Sequence, residues 1–412
     1  MGNNRKPKGA GHKWTFAARF HRHAFGWRSQ PAIARVKEAV SEITKVARHD
    51  KILAADGAVL LVERLSPALE HVDSSSGAIG SAVNRAIEML VEIIASAPAD
   101  ARTRTRWLDR LWEAYQADQI PYLERLGDYW GDLCASKDLA SDWADRLLEP
   151  CRMAWSDDLQ LRGFFQGATN CLSALLAAGR YQDILDLLEM RPHTIWNYRQ
   201  YGVKALAAMG RPSEAIRCAE AEQRPNDSPI AIARECEAIL LTSGRPEEAY
   251  RQYGLIANQA PTYAAWFRAV AKKYPHMKPS DILDDLVAQT PGDEGKWFAA
   301  AKDAKLFDKA IALANCTPSS PQTLTRAARD FAQTNPTFAL EAGVTALRWL
   351  VQGCGYEITS LDVRDAYVFT IQAAERAGRA DEIRGLIRRM VAEETFGDRF
   401  VTRVLGPDLG LT

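Results

Sequence analysis

The chain is 412 residues long, 47% hydrophobic and 25% charged, with 52 lysines and arginines against 52 aspartates and glutamates. Its apolar content is enough to offset ordering entropy, which excludes disorder over most of the length; the length leaves room for two or three ordinary domains or one long repeat array. Seven cysteines, odd in number and without a C-x-x-C pair, exclude a secreted disulfide framework and a zinc ribbon and point to a reducing, cytoplasmic compartment.

The neutral total hides an asymmetry at the start of the chain. Arg5, Lys6, Lys8, Lys13, Arg19, Arg22 and Arg28 stand in residues 1–30 with no acid among them, so this basic aromatic tail carries +7; the rest, with 52 less 7, or 45, basic residues against 52 acidic, carries −7. Residues 1–13 have no periodicity and are expected to lack structure. Residues 14–30 crowd Trp14, Phe16, Phe20, Phe25 and Trp27 among arginine and histidine. Two uses fit: contact with nucleic acid, arginines on phosphates and rings on bases, or a hydrophobic plug folded onto the first helices of its own chain. The plug is favoured, because five aromatics in so short a span are too many to leave in water. The seven basic residues remain the nucleic-acid candidates.

From Pro31 a helical period takes over. Ile33, Val36, Val40, Ile43 and Val46 recur at spacings of three and four, one apolar face of a helix. Further helices are predicted over about 52–70, 77–97, 101–117, 121–134 and 138–155, broken at Ser74–Gly77, Pro98, Pro121 and Ser156–Asp158. No sustained two-residue alternation marks a strand. The most apolar stretch, Ala86 to Ala97, is interrupted by Glu88 and Glu92 and is too short to span a membrane. Residues 31–158 thus form an N-terminal helical region.

The second half repeats itself. AAGRYQDILDLL (177–188), AMGRPSEAIRCA (208–219), TSGRPEEAYRQY (242–253) and RAGRADEIRGLI (376–387) each place Gly-Arg and an acidic first turn between two apolar helices. Gly179, Gly210 and Gly244 follow at a period of thirty-odd residues. A further copy, DAKLFDKAIALA (303–314), has Lys305 at the glycine position, a missing unit fits 263–289, and another reversal is expected at Thr334-Asn335-Pro336. Glycine accepts the left-handed conformation that ends a helix, and Pro212 and Pro246 suit the first turn of the next.

At these residues, over roughly 160–390, the chain resembles tetratricopeptide-like repeat proteins. The resemblance implies an all-α fold: an α-solenoid of helical hairpins over 159–392, with a HEAT-like or irregular helical N-terminal part and a C-terminal tail over 393–412. Through stretches such as AFGWRSQPAIARVKEAVSEI, LSPALEHVDSSSGAIG and GDEGKWFAAAKDA, the whole chain is also similar to an uncharacterised bacterial all-helical family sometimes associated with SWIM zinc-finger proteins. The C-x-C of such a finger is missing here, so that resemblance implies no metal and no known activity.

No catalytic, cofactor or metal signature stands out. TPGDEGKW (290–297) ends like a phosphate-binding loop, but Thr290 stands where its first glycine belongs and Trp297 where it needs Ser or Thr; a turn followed by buried Trp297 and Phe298 is the better reading. His12, His21 and His23 lie close together without a cysteine or carboxylate nearby and read as tail histidines. In repeats of the resembled kind, first helices line the concave face. The register then points Gln166, Thr169, Asn197, Gln200, Lys204, Arg234 and Lys302 into a polar, mildly basic groove suited to an acidic peptide or a chain terminus. The functional expectation is a non-catalytic scaffold for an unknown protein or peptide, with no cofactor and no membrane; nucleic-acid binding through the N-terminal segment is the alternative, and a cryptic enzyme is the third.

Overall fold

In the computed structural model, residues 12–156, 158, 160, 163–190, 195–221 and 227–411 are described, and among them there is no strand. The fold is all-helical. The chain divides into two compact units, Met1–Ser228 and Pro229–Thr412.

Unit 1 opens with α1 (Ser29–Ala47), α2 (Lys51–Leu69), α3 (Ala78–Ser96) and α4 (Ala101–Gln116), in close agreement with the periodicity. Side-chain caps set the starts: Asp50 accepts from the Leu53 N–H at 2.9 Å, and Asp100 from that of Thr103 at 2.7 Å. The helix expected over 121–134 is shorter. A 3-10 turn, Glu124–Tyr129, leads into α5 (Trp130–Cys134). Gly127 and Gly131, four residues apart, are the reason. A Cβ on Gly131 would lie 2.5 Å from the Ser173 carbonyl oxygen, and one on Gly127 3.0 Å from Asn170 Oδ1. The two glycines therefore let this segment lie directly on α7 at the expense of helix propensity. Then follow α6 (Lys137–Trp155), α7 (Ala168–Ala178), α8 (Tyr181–Glu189), α9 (Trp196–Ala208) and α10 (Pro212–Glu220). Helices meet neighbours one and two places along the chain: α1 packs on α2 and α3, α2 on α4, α3 and α7 on α5, α6 on α7, and α7 and α8 on α9. Such a pattern is compatible with stacked hairpins. One hydrophobic core runs from Trp14 to Ala205.

The aromatic N-terminal segment folds back on its own unit. Trp14, Phe16 and Phe20 are buried, whereas Trp27 is 71% exposed. Gly57 on α2 makes room for Trp14, whose ring would lie 2.2 Å from a Cβ there. Glu42 of α1 accepts from the Thr15 and Phe16 N–H groups at 2.8 and 3.1 Å, and Arg19 pairs with Glu38 at 3.0 Å.

Unit 2 comprises α11 (Pro229–Thr242), α12 (Pro246–Ala249), α13 (Leu255–Ala257), α14 (Tyr263–Lys273), α15 (Pro279–Ala288), α16 (Phe298–Asp303), α17 (Phe307–Cys316), α18 (Pro321–Phe331), α19 (Pro336–Val351), α20 (Ser360–Arg376), α21 (Ala380–Ala392) and α22 (Phe400–Leu409). The missing unit is α14 and α15. Residues 393–412, expected as a tail, carry α22, which packs on α20 and α21 through buried Val401 and Leu405. Glu394 anchors its start by accepting from the Val401 and Thr402 N–H groups at 3.0 and 2.6 Å.

The repeat turns share one backbone solution across both units. Gly179, Gly210, Gly244 and Gly378 all have φ between 69° and 77°, and Lys305 follows them at 61°. In each, the left-handed residue donates to the carbonyl three back and the next residue to the carbonyl five back, as in Arg180 to Leu175 (2.9 Å) and Leu306 to Ala301 (2.9 Å). The arginine after each glycine then reaches the acid three residues on: Arg180 to Asp183, Arg211 to Glu214, Arg245 to Glu248 and Arg379 to Glu382. Gly353 makes the same turn after α19, with no arginine–acid pair behind it.

Candidate partner-binding surfaces

The residues expected in the groove are largely engaged inside their own units. In unit 1, Asn197, Gln200 and Lys204 share one stripe of α9: Gln200 donates to the Asn197 carbonyl at 3.0 Å, and the Lys204 ammonium lies 3.2 Å from Gln200 Oε1 and 5.5 Å above the Tyr201 ring. Gln166 precedes α7 and donates to the Tyr115 carbonyl at 2.8 Å, while Tyr115 returns a bond to the Gln166 carbonyl at 3.0 Å. Thr169 is half-buried against Gly127. In unit 2, Arg234 donates through Nε to the Ala257 carbonyl at the end of α13 (2.8 Å), and Lys302 pairs with Asp303 at 2.9 Å.

Beside the α9 stripe stands a residue the sequence did not single out. The close approach at Gly127 and Gly131 brings Asp128 against Tyr201, whose hydroxyl lies 3.4 Å from Oδ1, and Arg125 meets Oδ2 at 3.1 Å. Burial pushes the Asp128 carboxyl above its ordinary range, although Arg125, Lys204 and Tyr201 pull it down. This part of unit 1 is thus a mutually neutralising cluster, not a free basic groove. No local signal marks Asp128, because Tyr201 and Lys204 reach it from α9, more than seventy residues along the chain.

Of the nucleic-acid candidates, Arg5, Lys6 and Lys8 lie outside the described residues. Arg19 is paired with Glu38, and Arg22 lies 3.5 Å from Glu70; Lys13 and Arg28 are exposed. His23 stacks on His71 with ring centroids 4.3 Å apart, and His12 sits against Trp14. Among the described residues no group of three histidines, cysteines or acids is placed to hold a metal. The TPGDEGKW segment is a packing device: a Cβ on Gly295 would lie 2.2 Å from the Thr317 carbonyl oxygen, and Trp297 and Phe298 are buried behind it. Among the described residues no helix is long and apolar enough to cross a membrane.

A surface that the sequence reading did not assign lies between α1 and α3. Val36, Val40, Ala82 and Ala86 floor a groove of about 430 Å³, and Met89, 46% exposed, stands in its wall. Lys37, Ser41, Thr44 and Lys45 of α1, Arg48 just after it and Arg85 of α3 complete the lining, and no acid does. All four cations are exposed and, among the described residues, none is within ion-pair distance of a carboxylate. The nearby α1 acids are already committed: Glu42 to the plug backbone, Glu38 to Arg19 and Arg35.

No family model matches the chain, and no curated protein is significantly similar to it.

Proposed function

We propose that the protein is a non-catalytic interaction scaffold of tetratricopeptide-like hairpins, and that unit 1 docks a segment of a partner protein across its first helices. The observation that supports this reading is the α1/α3 groove. It is recessed, apolar at its floor and polar at its rim, the arrangement by which helical grooves seat the apolar anchors of a bound segment. Within unit 1 the turns at Gly179 and Gly210 each close a helical hairpin of the kind such scaffolds are built from, α7 with α8 and α9 with α10.

A peptide-display selection against the full chain tests it. Selected peptides should lose at least about tenfold in affinity for the Ser41→Trp variant, which fills the groove from an exposed edge position without changing charge. Selected peptides that bind wild type and this variant alike would defeat the assignment of the groove.

A further inference from the structure

The chemistry of the α1/α3 groove identifies the kind of segment it takes. Its charge is one-sided. Lys37, Lys45, Arg48 and Arg85 rim it, and the plug has drawn Glu38 and Glu42 of the same helix into its own contacts. Lys37, Ser41 and Lys45 also line the cleft beside the plug, together with His12 and Thr15. Four like charges around an apolar floor repel one another and attract acids, most strongly when a ligand displaces water between them.

The floor decides among anionic partners. Val36, Val40, Ala82, Ala86 and Met89 are aliphatic, and no aromatic side chain lines the groove. Nucleic-acid bases thus find no ring to stack on, and phosphates gain nothing from an apolar floor. A membrane surface needs several apolar side chains that project, whereas Val36, Val40, Ala82 and Ala86 are recessed and less than a tenth exposed, and among these five Met89 alone stands out. The small alanines at 82 and 86, one turn apart on α3, leave space for bulky side chains from outside. We infer that the α1/α3 groove binds an acidic protein segment, which seats one or two large apolar side chains on this floor while its carboxylates meet Lys37, Lys45, Arg48 and Arg85. This inference rests on the reading of unit 1 as a docking module and adds the partner's chemistry to it.

Fluorescence anisotropy with the full chain tests the pairing. The probes are a labelled acidic amphipathic peptide (EELLEDLFEE), its serine counterpart with the apolar residues replaced, its lysine counterpart (KKLLKKLFKK), a labelled single-stranded oligonucleotide, and phosphatidylserine vesicles. The acidic amphipathic peptide should bind, weaken about tenfold or more in K45E/R48E, and weaken as salt rises through the range where screening sets in. The serine counterpart should bind at least about tenfold more weakly, because the floor is then unused. All substituted positions are exposed, and circular dichroism with thermal melting verifies that the variants fold. Three results would overturn the acidic assignment: equal or tighter binding of the lysine peptide, oligonucleotide or vesicle binding that K45E/R48E abolishes while the acidic peptide does not bind, or peptide binding indifferent to K45E/R48E. If non-acidic peptides bind in a manner lost in Ser41→Trp, the docking module stands and only its partner chemistry fails. If no peptide of any charge depends on the groove, both fail.

Discussion

At the residue scale, Lys305 is the informative exception. It holds φ at 61° where its counterparts are glycines. A side chain in that conformation costs about 1 kcal/mol relative to glycine. Lys305→Gly should therefore raise the unfolding free energy by roughly 0.5–1 kcal/mol, and Gly210→Ala should lower it by about 1 kcal/mol although nothing lies near the added methyl. Denaturant titrations of the two variants check this, and a destabilised Lys305→Gly would contradict it. Asp128 gives a pH test. Its carboxyl is raised in the folded state, so between the unfolded and the folded value the folded protein binds more proton than the unfolded chain; stability associated with it is present below the unfolded value and lost as pH rises through the folded one. Asp128→Asn should accordingly gain on wild type most near neutrality, and the gain should shrink as pH falls toward 4. Melting midpoints of both proteins between pH 4 and 8 measure the difference. The arginine–acid forks at the turns have the opposite sign. Arg211 and Arg379 hold the Glu214 and Glu382 carboxyls below their usual range, and that contribution disappears on acidification.

At the element scale, the helix from Pro246 to Ala257 is divided by a π-helical turn, Tyr250–Gly254. Such an extra residue persists only where its surroundings hold it. Here the Tyr274 hydroxyl donates to buried Glu237 at 2.6 Å, Asn258 donates to the same oxygen at 2.6 Å, Tyr250 donates to Asp285 at 2.6 Å, and the Trp266 indole satisfies the Leu255 carbonyl at 2.7 Å. Burial, with Glu237 beside it, raises the Tyr274 phenol well above its ordinary value, so it remains a donor throughout the neutral range. Tyr274→Phe should cost about 1–3 kcal/mol, the loss of a buried bond to a charged acceptor. Gly254→Ala should also destabilise, because the new methyl would meet the Tyr274 ring at 2.9 Å. Calorimetry on both variants reads this; a neutral Tyr274→Phe would mean the network does not hold the turn. The plug is the second element with a test. Gly57→Ala places a carbon inside the Trp14 ring position and should release the segment, seen as a red-shifted tryptophan emission and faster proteolysis after Lys13 or Arg19. Unchanged emission and cleavage would sink that account.

At the scale of the whole molecule, the helices and most reversals were legible because both are local. Period and caps fix a helix within its own dozen residues, and a glycine after an apolar run fixes the left-handed turn; even Lys305 could be placed by counting from Gly244. Contacts between distant segments were not legible. Arg104 reads as one of several surface charges in ARTRTRW, yet it is buried and donates to the carbonyls of Ile94, Ala97 and Leu133 at 3.1, 2.6 and 3.2 Å, at the ends of α3 and α5. The Gly353 turn lacks the arginine–acid sequel that marked the others, and α22 has no repeat partner. The α1/α3 groove escaped for the same reason, since its lining comes from two helices separated by all of α2. The plug was foreshadowed by composition alone. Removing residues 1–28 takes seven positive charges and the buried Trp14, Phe16 and Phe20 together. At roughly 1.5–3 kcal/mol per ring, the truncated chain should lose several kcal/mol of stability. An unchanged melting midpoint would show that the segment does not contribute to the core.

The shared geometry of the turns has a consequence for how such a chain can change its length. Excising Arg180 through Gly210 would join Gly179 to Arg211 and restore the same glycine–arginine step, with Glu214 in place for the guanidinium to reach. The backbone would meet no unfamiliar junction there. A single unequal exchange within the gene could thus drop or duplicate a hairpin cleanly, which makes the hairpin a unit of inheritance.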